Sequence, residues 1–118
     1  MASPHRCLTK LRKLSASFPE TKEGETWEHP TFRVRDKIFA SFGEHQGRPS
    51  IGVKQTKAEQ AVLIEHPGIF VPPYVGQHGW VGIWVDDVEW PMIADLVESS
   101  YRKVALKRMI KALDASRD

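Results

Sequence analysis

Five histidines, His5, His29, His45, His66 and His78, are the side chains of this 118-residue sequence best suited to hold a metal. Imidazoles do so when the chain makes them converge, at i and i+4 on a helix or beside paired cysteines. None of the five has such spacing, and Cys7 is the only cysteine. The sequence therefore predicts no metal site and no cofactor. His29 and His66 each precede a proline, which assigns them to loops. Cys7 falls among apolar neighbours on a helical stretch and reads as a small core residue. No serine lies in a GxSxG elbow. Gly76-Gln77-His78-Gly79 lacks the Lys-Ser/Thr of a phosphate loop and reads as a glycine-assisted turn. Asp86, Asp87 and Glu89 precede a helix, where anions favour its dipole. No catalytic residue is nominated, and an enzyme ranks third among the functional readings.

Basic residues offer more. Arg33, Arg35 and Lys37 alternate along a strand and its turn, and Lys54 ends the next strand. Tyr74, His78 and Trp80 supply stacking surface, and Arg102, Lys103, Lys107 and Arg108 add charge to the last helix. Cations that meet phosphates, with strands or wings to position them, are what duplex DNA binding requires. The competing reading is a solvated strand face over an aromatic core.

These residues need a scaffold. Pro4 to Ser17 has helical spacing, with Leu8, Leu11, Leu14, Ser15 and Phe18 on or near one face and Ser3 as N-cap. Period-two alternation then marks strands around Thr26-Trp27, Thr31 to Arg35 and Lys37 to Phe42. His29-Pro30 is expected to break the first run, and Asp36-Lys37 to make a turn. Gly43 to Pro49 reads as a polar loop, and Ser50 to Lys54 as a strand. Gln55 to Glu65 returns to helical spacing, with Ala58, Ala61, Val62 and Glu65 on one face and a Thr56/Glu59 capping box. Trp80 to Val85 is the last strand, and Gly82 between two tryptophans implies a close neighbour over that face. One long helix is expected from Pro91 to about Leu113, its last third free to fray or project. This order gives an α+β fold, an antiparallel β-sheet with helices packed mainly on one face.

The whole chain, 1–118, reads as one domain that can bury its own core. A lone cysteine fits a reducing compartment, and the opening Met-Ala-Ser-Pro-His-Arg-Cys-Leu does not resemble a secretory signal. No apolar run reaches the roughly 18 residues of a membrane span. A cytoplasmic protein with no membrane partner is expected. Net charge is only +2, but residues 1–22 carry five basic groups to one acidic, residues 101–118 six to two, and the middle six to twelve. Positive ends around a negative centre could offer phosphates a basic face.

His29-Pro30-Thr31-Phe32-Arg33-Val34, Lys37-Ile38-Phe39-Ala40 and Ile51-Gly52-Val53-Lys54 resemble the MmcQ/YjbR family of small bacterial proteins. Phe70, Pro73-Tyr74-Val75-Gly76, Gly79-Trp80-Val81 and Ser100-Tyr101-Arg102 continue the resemblance in order, to about Ala105. Residues 106–118 look like a helical extension beyond the family core. The resemblance implies a frataxin-like (CyaY-like) sandwich with a double-wing arrangement likened to DNA-binding proteins. The frataxin likeness brings no iron role with it, because the first helix of this chain is basic where iron would want carboxylates. The resulting expectation is a DNA-binding protein using Arg33, Arg35, Lys37, Lys54, Tyr74, His78, Trp80 and Arg102. The alternative is an interaction module that binds a protein partner or a small anionic ligand through the 72–80 loop.

Overall fold

Three two-residue turns shape the first half of the chain. In the computed structural model, which describes residues 4–117, β1 (Thr21–Thr26), β2 (His29–Val34), β3 (Lys37–His45) and β4 (Arg48–Val53) follow one another as a meander. The turns are Trp27-Glu28, Arg35-Asp36 and Gln46-Gly47, and both residues of each have positive φ. That geometry lets a two-residue loop follow the right-handed twist of its strands. Only Gly47 is the residue type that adopts it freely; the other five positions hold side chains. The expected break at His29-Pro30 is therefore displaced to Trp27-Glu28, and the turn expected at Asp36-Lys37 to Arg35-Asp36.

His29 and Pro30 lie inside β2, where Pro30 faces Glu25. The β2–β3 pairing starts only at Thr31, opposite Ser41, so the missing proline N–H removes nothing from that ladder. The polar loop expected at Gly43 to Pro49 is likewise strand, with Glu44 opposite Pro49 and only Gln46-Gly47 turning.

After α2 (Lys57–Leu63), β5 (Ile69–Phe70) and a 3-10 turn (Val75–His78), β6 (Val81–Trp84) inserts beside β4. The sheet has six strands, antiparallel throughout, in the order β1-β2-β3-β4-β6-β5. α1 (Pro4–Ala16) and α3 (Trp90–Val104) cover one face. Ser3, expected to cap α1, lies outside the described residues. Phe32, Ala40, Val53 and Val81 form one row across that face, and Phe42, Ile51, Ile83 and Ile69 the next. Leu11, Phe18, Ile93, Val97 and Tyr101 close over them from the helices.

The expected single C-terminal helix is two. Ala105 and Leu106 are extended, and α4 (Lys107–Ala115) folds back. No proline or glycine marks the break, so the sequence gives no stop signal. Tertiary contacts supply the reason. Arg35 Nη1 donates to the Val104 carbonyl, 3.0 Å, at the end of α3, where carbonyls lack helical partners. Met109 and Leu113 are then buried, while Arg102 bonds Asp114. On α2 the capping box of Thr56 and Glu59 is formed. Its expected apolar face is not, since Val62 and Ile64 are exposed and the buried residue is Gln60.

Candidate functional site on the open face of the sheet

Among the described residues no α-helix covers the sheet face away from α1 and α3, and its composition is unusual for an exposed surface. One row crosses all six strands as Gly24, Thr31, Ser41, Gly52, Gly82 and Phe70, each opposite the next. Gly43 and Ser50 face each other one row along. Side chains directly opposite in antiparallel strands share a face, so these small residues make a trough floored largely by backbone. At one end Phe70 fills it, its ring in the space a Gly82 side chain would need. This is the close neighbour that Gly82 implied.

Rings wall the rest. The His29 imidazole lies 3.2 Å from where a Gly43 Cβ would stand, and Trp80 passes 3.9 Å from that of Gly52. Phe70 stacks on His45 at 4.2 Å between ring centroids and packs on Trp84 at 4.3 Å. Arg48 lies over the Trp84 ring and reaches Asp87 at 2.6 Å. A cleft of about 440 Å³ remains above Ser41, Gly43, Ser50 and Gly52, within the size range of small-molecule sites.

The 72–80 segment forms one bank. Gln60 of α2, buried, donates through Nε2 to the carbonyls of Gly76 (2.7 Å) and Trp80 (2.8 Å). Gly79 has φ +94°, and a Cβ there would overlap the Gln55 carbonyl, so glycine is required. These restraints fix Trp80 beside the trough. At the tip, Tyr74 is 89% exposed with φ 66° and ψ −67°, and Val75 N–H donates to the Pro73 carbonyl at 2.8 Å. This is a γ-turn in its rarer, strained form, on an aromatic residue. Trp27, 88% exposed in the β1–β2 turn, lies on the opposite rim.

The sequence-selected residues divide between places. Trp80 lines the cleft; His78 is exposed on the 3-10 turn and does not. The histidines that do are His29 and His45. Arg33 and Arg35 gather with Lys22 and Arg108 around a second hollow, with Glu20 and Asp36 among them. Arg33 donates to Thr26 Oγ1 (3.0 Å) and the Asp36 carbonyl (3.3 Å), and Arg35 caps α3. Lys37 and Lys54 are exposed near the same end of the sheet. Arg102 is engaged by Glu98 and Asp114, which hold its guanidinium in the charged form.

The uneven charge along the chain is partly matched in space. Arg12 pairs with Glu23, Lys103 with Glu59, Arg117 with Glu98, and Arg108 with Glu20. These cations of the ends, with Arg102, are spent on acids of the fold. Cys7 is buried, and burial raises its thiol pKa, which suits a packing role. Among the described residues no group of three or more His, Cys, Asp or Glu could hold a metal, and no helix is long and apolar enough to cross a membrane.

Sequence reading assigns the second strand face to basic residues and solvent, and so passes over the trough. A signal was present: Ser41-Phe42-Gly43, Ser50-Ile51-Gly52 and Gly82-Ile83 alternate bulky apolar residues with nearly none. A merely solvated face would carry longer polar side chains.

Comparison with known proteins adds the family and the fold. The family model described as YjbR matches residues 16–103. A Deinococcus radiodurans protein with a DUF419 domain superposes with a TM-score of 0.75 at 20% identity, over 97% of this chain and 92% of that one. A Pseudomonas syringae protein gives 0.66 at 19% identity, over 89% of this chain and 100% of that one. No curated protein matches the chain.

Proposed function

The chain belongs to the YjbR family, and from that premise we propose that it is a binding module whose open sheet face receives a small-molecule ligand. The observation that carries this reading is the row of small residues Thr31, Ser41, Gly52 and Gly82 across four strands, under a cleft of about 440 Å³. Leaving backbone bare across a sheet sacrifices side-chain packing; Phe70 recovers it over Gly82, whereas the space above Ser41 and Gly52 is left to the cleft. The 72–80 segment takes part as the fixed bank that presents Trp80. The module is non-catalytic in this reading, since the cleft pairs no nucleophile with a base.

The test is amide chemical-shift mapping with a fragment library on the folded protein. Shifts should concentrate at Ser41, Gly43, Ser50 and Gly52, and Gly52→Leu should abolish them while keeping the rest of the spectrum. Shifts scattered over the surface, or unchanged by Gly52→Leu, would remove the cleft from consideration.

A second reading, duplex DNA binding, is favoured by a different observation: Lys22, Arg33 and Arg35 surround one hollow, with Lys37 and Lys54 near that end of the sheet. Phosphate contacts there would make affinity fall steeply between about 50 and 200 mM salt. Fluorescence anisotropy with labelled duplex should show that fall, and further weakening in Arg33→Ala/Lys54→Ala. No binding at the lower salt would end this reading without touching the cleft.

A further inference from the structure

Resting on the cleft reading, we propose that its ligand is an uncharged, planar aromatic molecule carrying a hydrogen-bonding group that meets Thr31. Three independent features of the site lead there.

Charge comes first. The cleft lining contains one carboxylate, Glu44, and no lysine or arginine. The nearest guanidinium groups already have partners: Arg48 lies over Trp84 and on Asp87, and Arg33, whose Nε stands 3.8 Å from where a Gly24 Cβ would be, is spent on Thr26 and the Asp36 carbonyl. A carboxylate or phosphate in the cleft would lose water, face Glu44 and meet no lysine or arginine in the lining, with only the imidazoles of His29 and His45 to offset the loss. The small anionic ligand expected for the 72–80 loop is therefore disfavoured at this site.

Shape comes second. Peptide planes form the floor at Gly43 and Gly52, and the His29 and Trp80 rings lie against those two positions. A floor without side chains between ring walls accepts a flat π-system in offset or edge contact. A puckered ring of similar volume would touch the floor at few atoms and forfeit dispersion contact.

Polarity comes third. Thr31 is 3% exposed, and its Oγ1 is buried with no hydrogen-bond partner. The hydroxyl lies in the small-residue row, 3.6 Å from where a Gly24 Cβ would stand, and Thr31 lines the cleft. A buried hydroxyl left unpaired is destabilising. Among the described residues no group pairs with it, and a ligand group entering from the cleft would complete it. Valine would occupy the same space without that penalty.

The experiment is a chemical-shift titration with three matched probes: benzamide, benzoate and cyclohexanecarboxamide. Benzamide should shift the Ser41, Gly43 and Gly52 amides at lower concentration than either of the others. Thr31→Val should weaken benzamide about tenfold, the size expected for one lost hydrogen bond, while the protein stays as stable or becomes more so. Benzoate binding as well as benzamide would overturn the charge assignment, and cyclohexanecarboxamide doing so would overturn planarity. An unchanged benzamide affinity in Thr31→Val would overturn the hydrogen bond. In those three cases the cleft stands as a site. If none of the probes moves these amides, the proposal is overturned; if the fragment library also leaves them unmoved, the cleft reading falls with it.

Discussion

Ser100 shows how one side chain can join three elements. It is fully buried on α3, and its Oγ donates to the Phe39 carbonyl of β3 (2.6 Å) while accepting from Lys54 N–H at the end of β4 (2.8 Å). Replacing it with alanine leaves both backbone groups without this partner in a site closed to water. Ser100→Ala should therefore cost about 1–3 kcal/mol, read as a lower urea midpoint at unchanged slope. A change under about 0.5 kcal/mol, the scale of surface substitutions, would mean that other groups or water satisfy the pair. Nothing in Ser100's sequence neighbourhood announces this, because its partners are 46 and 61 residues away. Thr31 is the opposite case. Its hydroxyl is buried without a partner, and only the folded sheet reveals that the two threonine-sized choices, with and without an oxygen, differ in what they offer a ligand.

Among the elements, α4 is held by a different balance of forces. Arg117 and Arg102 both reach Glu98 of α3, at 2.6 and 2.9 Å, and Arg102 also reaches Asp114 at 2.5 Å. Arg108 pairs with Glu20. Bonds from Arg117, then Arg102, hold the Glu98 carboxyl below its usual pKa, and Arg102 and Arg108 do the same for Asp114 and Glu20. A carboxylate depressed in the folded state stabilises it above the unfolded pKa, about 4. That contribution is lost as pH falls through the lower folded values. Unfolding free energy should therefore fall more between pH 6 and pH 3 in the unaltered protein than in Glu98→Gln, which lacks the depressed carboxyl. Equal falls in the two would show that these pairs add little to docking, as isolated surface pairs often do. Strands and caps were legible where local chemistry decides them. The Thr56/Glu59 box, the β6 alternation and the α1 spacing all appear as read. The α3–α4 break was not legible, since Val104-Ala105-Leu106 carries no breaker and the cause lies with Arg35, 69 residues away. The turns at Trp27-Glu28 and Arg35-Asp36 were misplaced for a related reason: positive φ without glycine leaves no signature.

For the whole molecule, the question is where the domain's core ends. The family match stops at residue 103, before α4, yet the shared fold with the Deinococcus protein spans 97% of this chain. Sequence reading placed 106–118 outside the family core and allowed the last helical third to project. In the folded chain Met109 and Leu113 are 4% and 2% exposed and join the same apolar cluster as Leu11, Phe39 and Val97. An amphipathic helix that presents two such side chains to a shared core contributes to the stability of all of it, because small domains unfold as one unit. Leu113→Ala should then cost about 2–5 kcal/mol, the range for a buried leucine whose site cannot fully collapse. That is a large share of the roughly 5–15 kcal/mol that holds a domain this size together. Urea denaturation followed by the near-ultraviolet signal of the tryptophans, which lie far from α4 in sequence, distinguishes the two pictures. If α4 is part of the core, the midpoint falls and the transition stays single. If α4 is an appendage, the tryptophan transition is unmoved, and only helical signal is lost at lower denaturant.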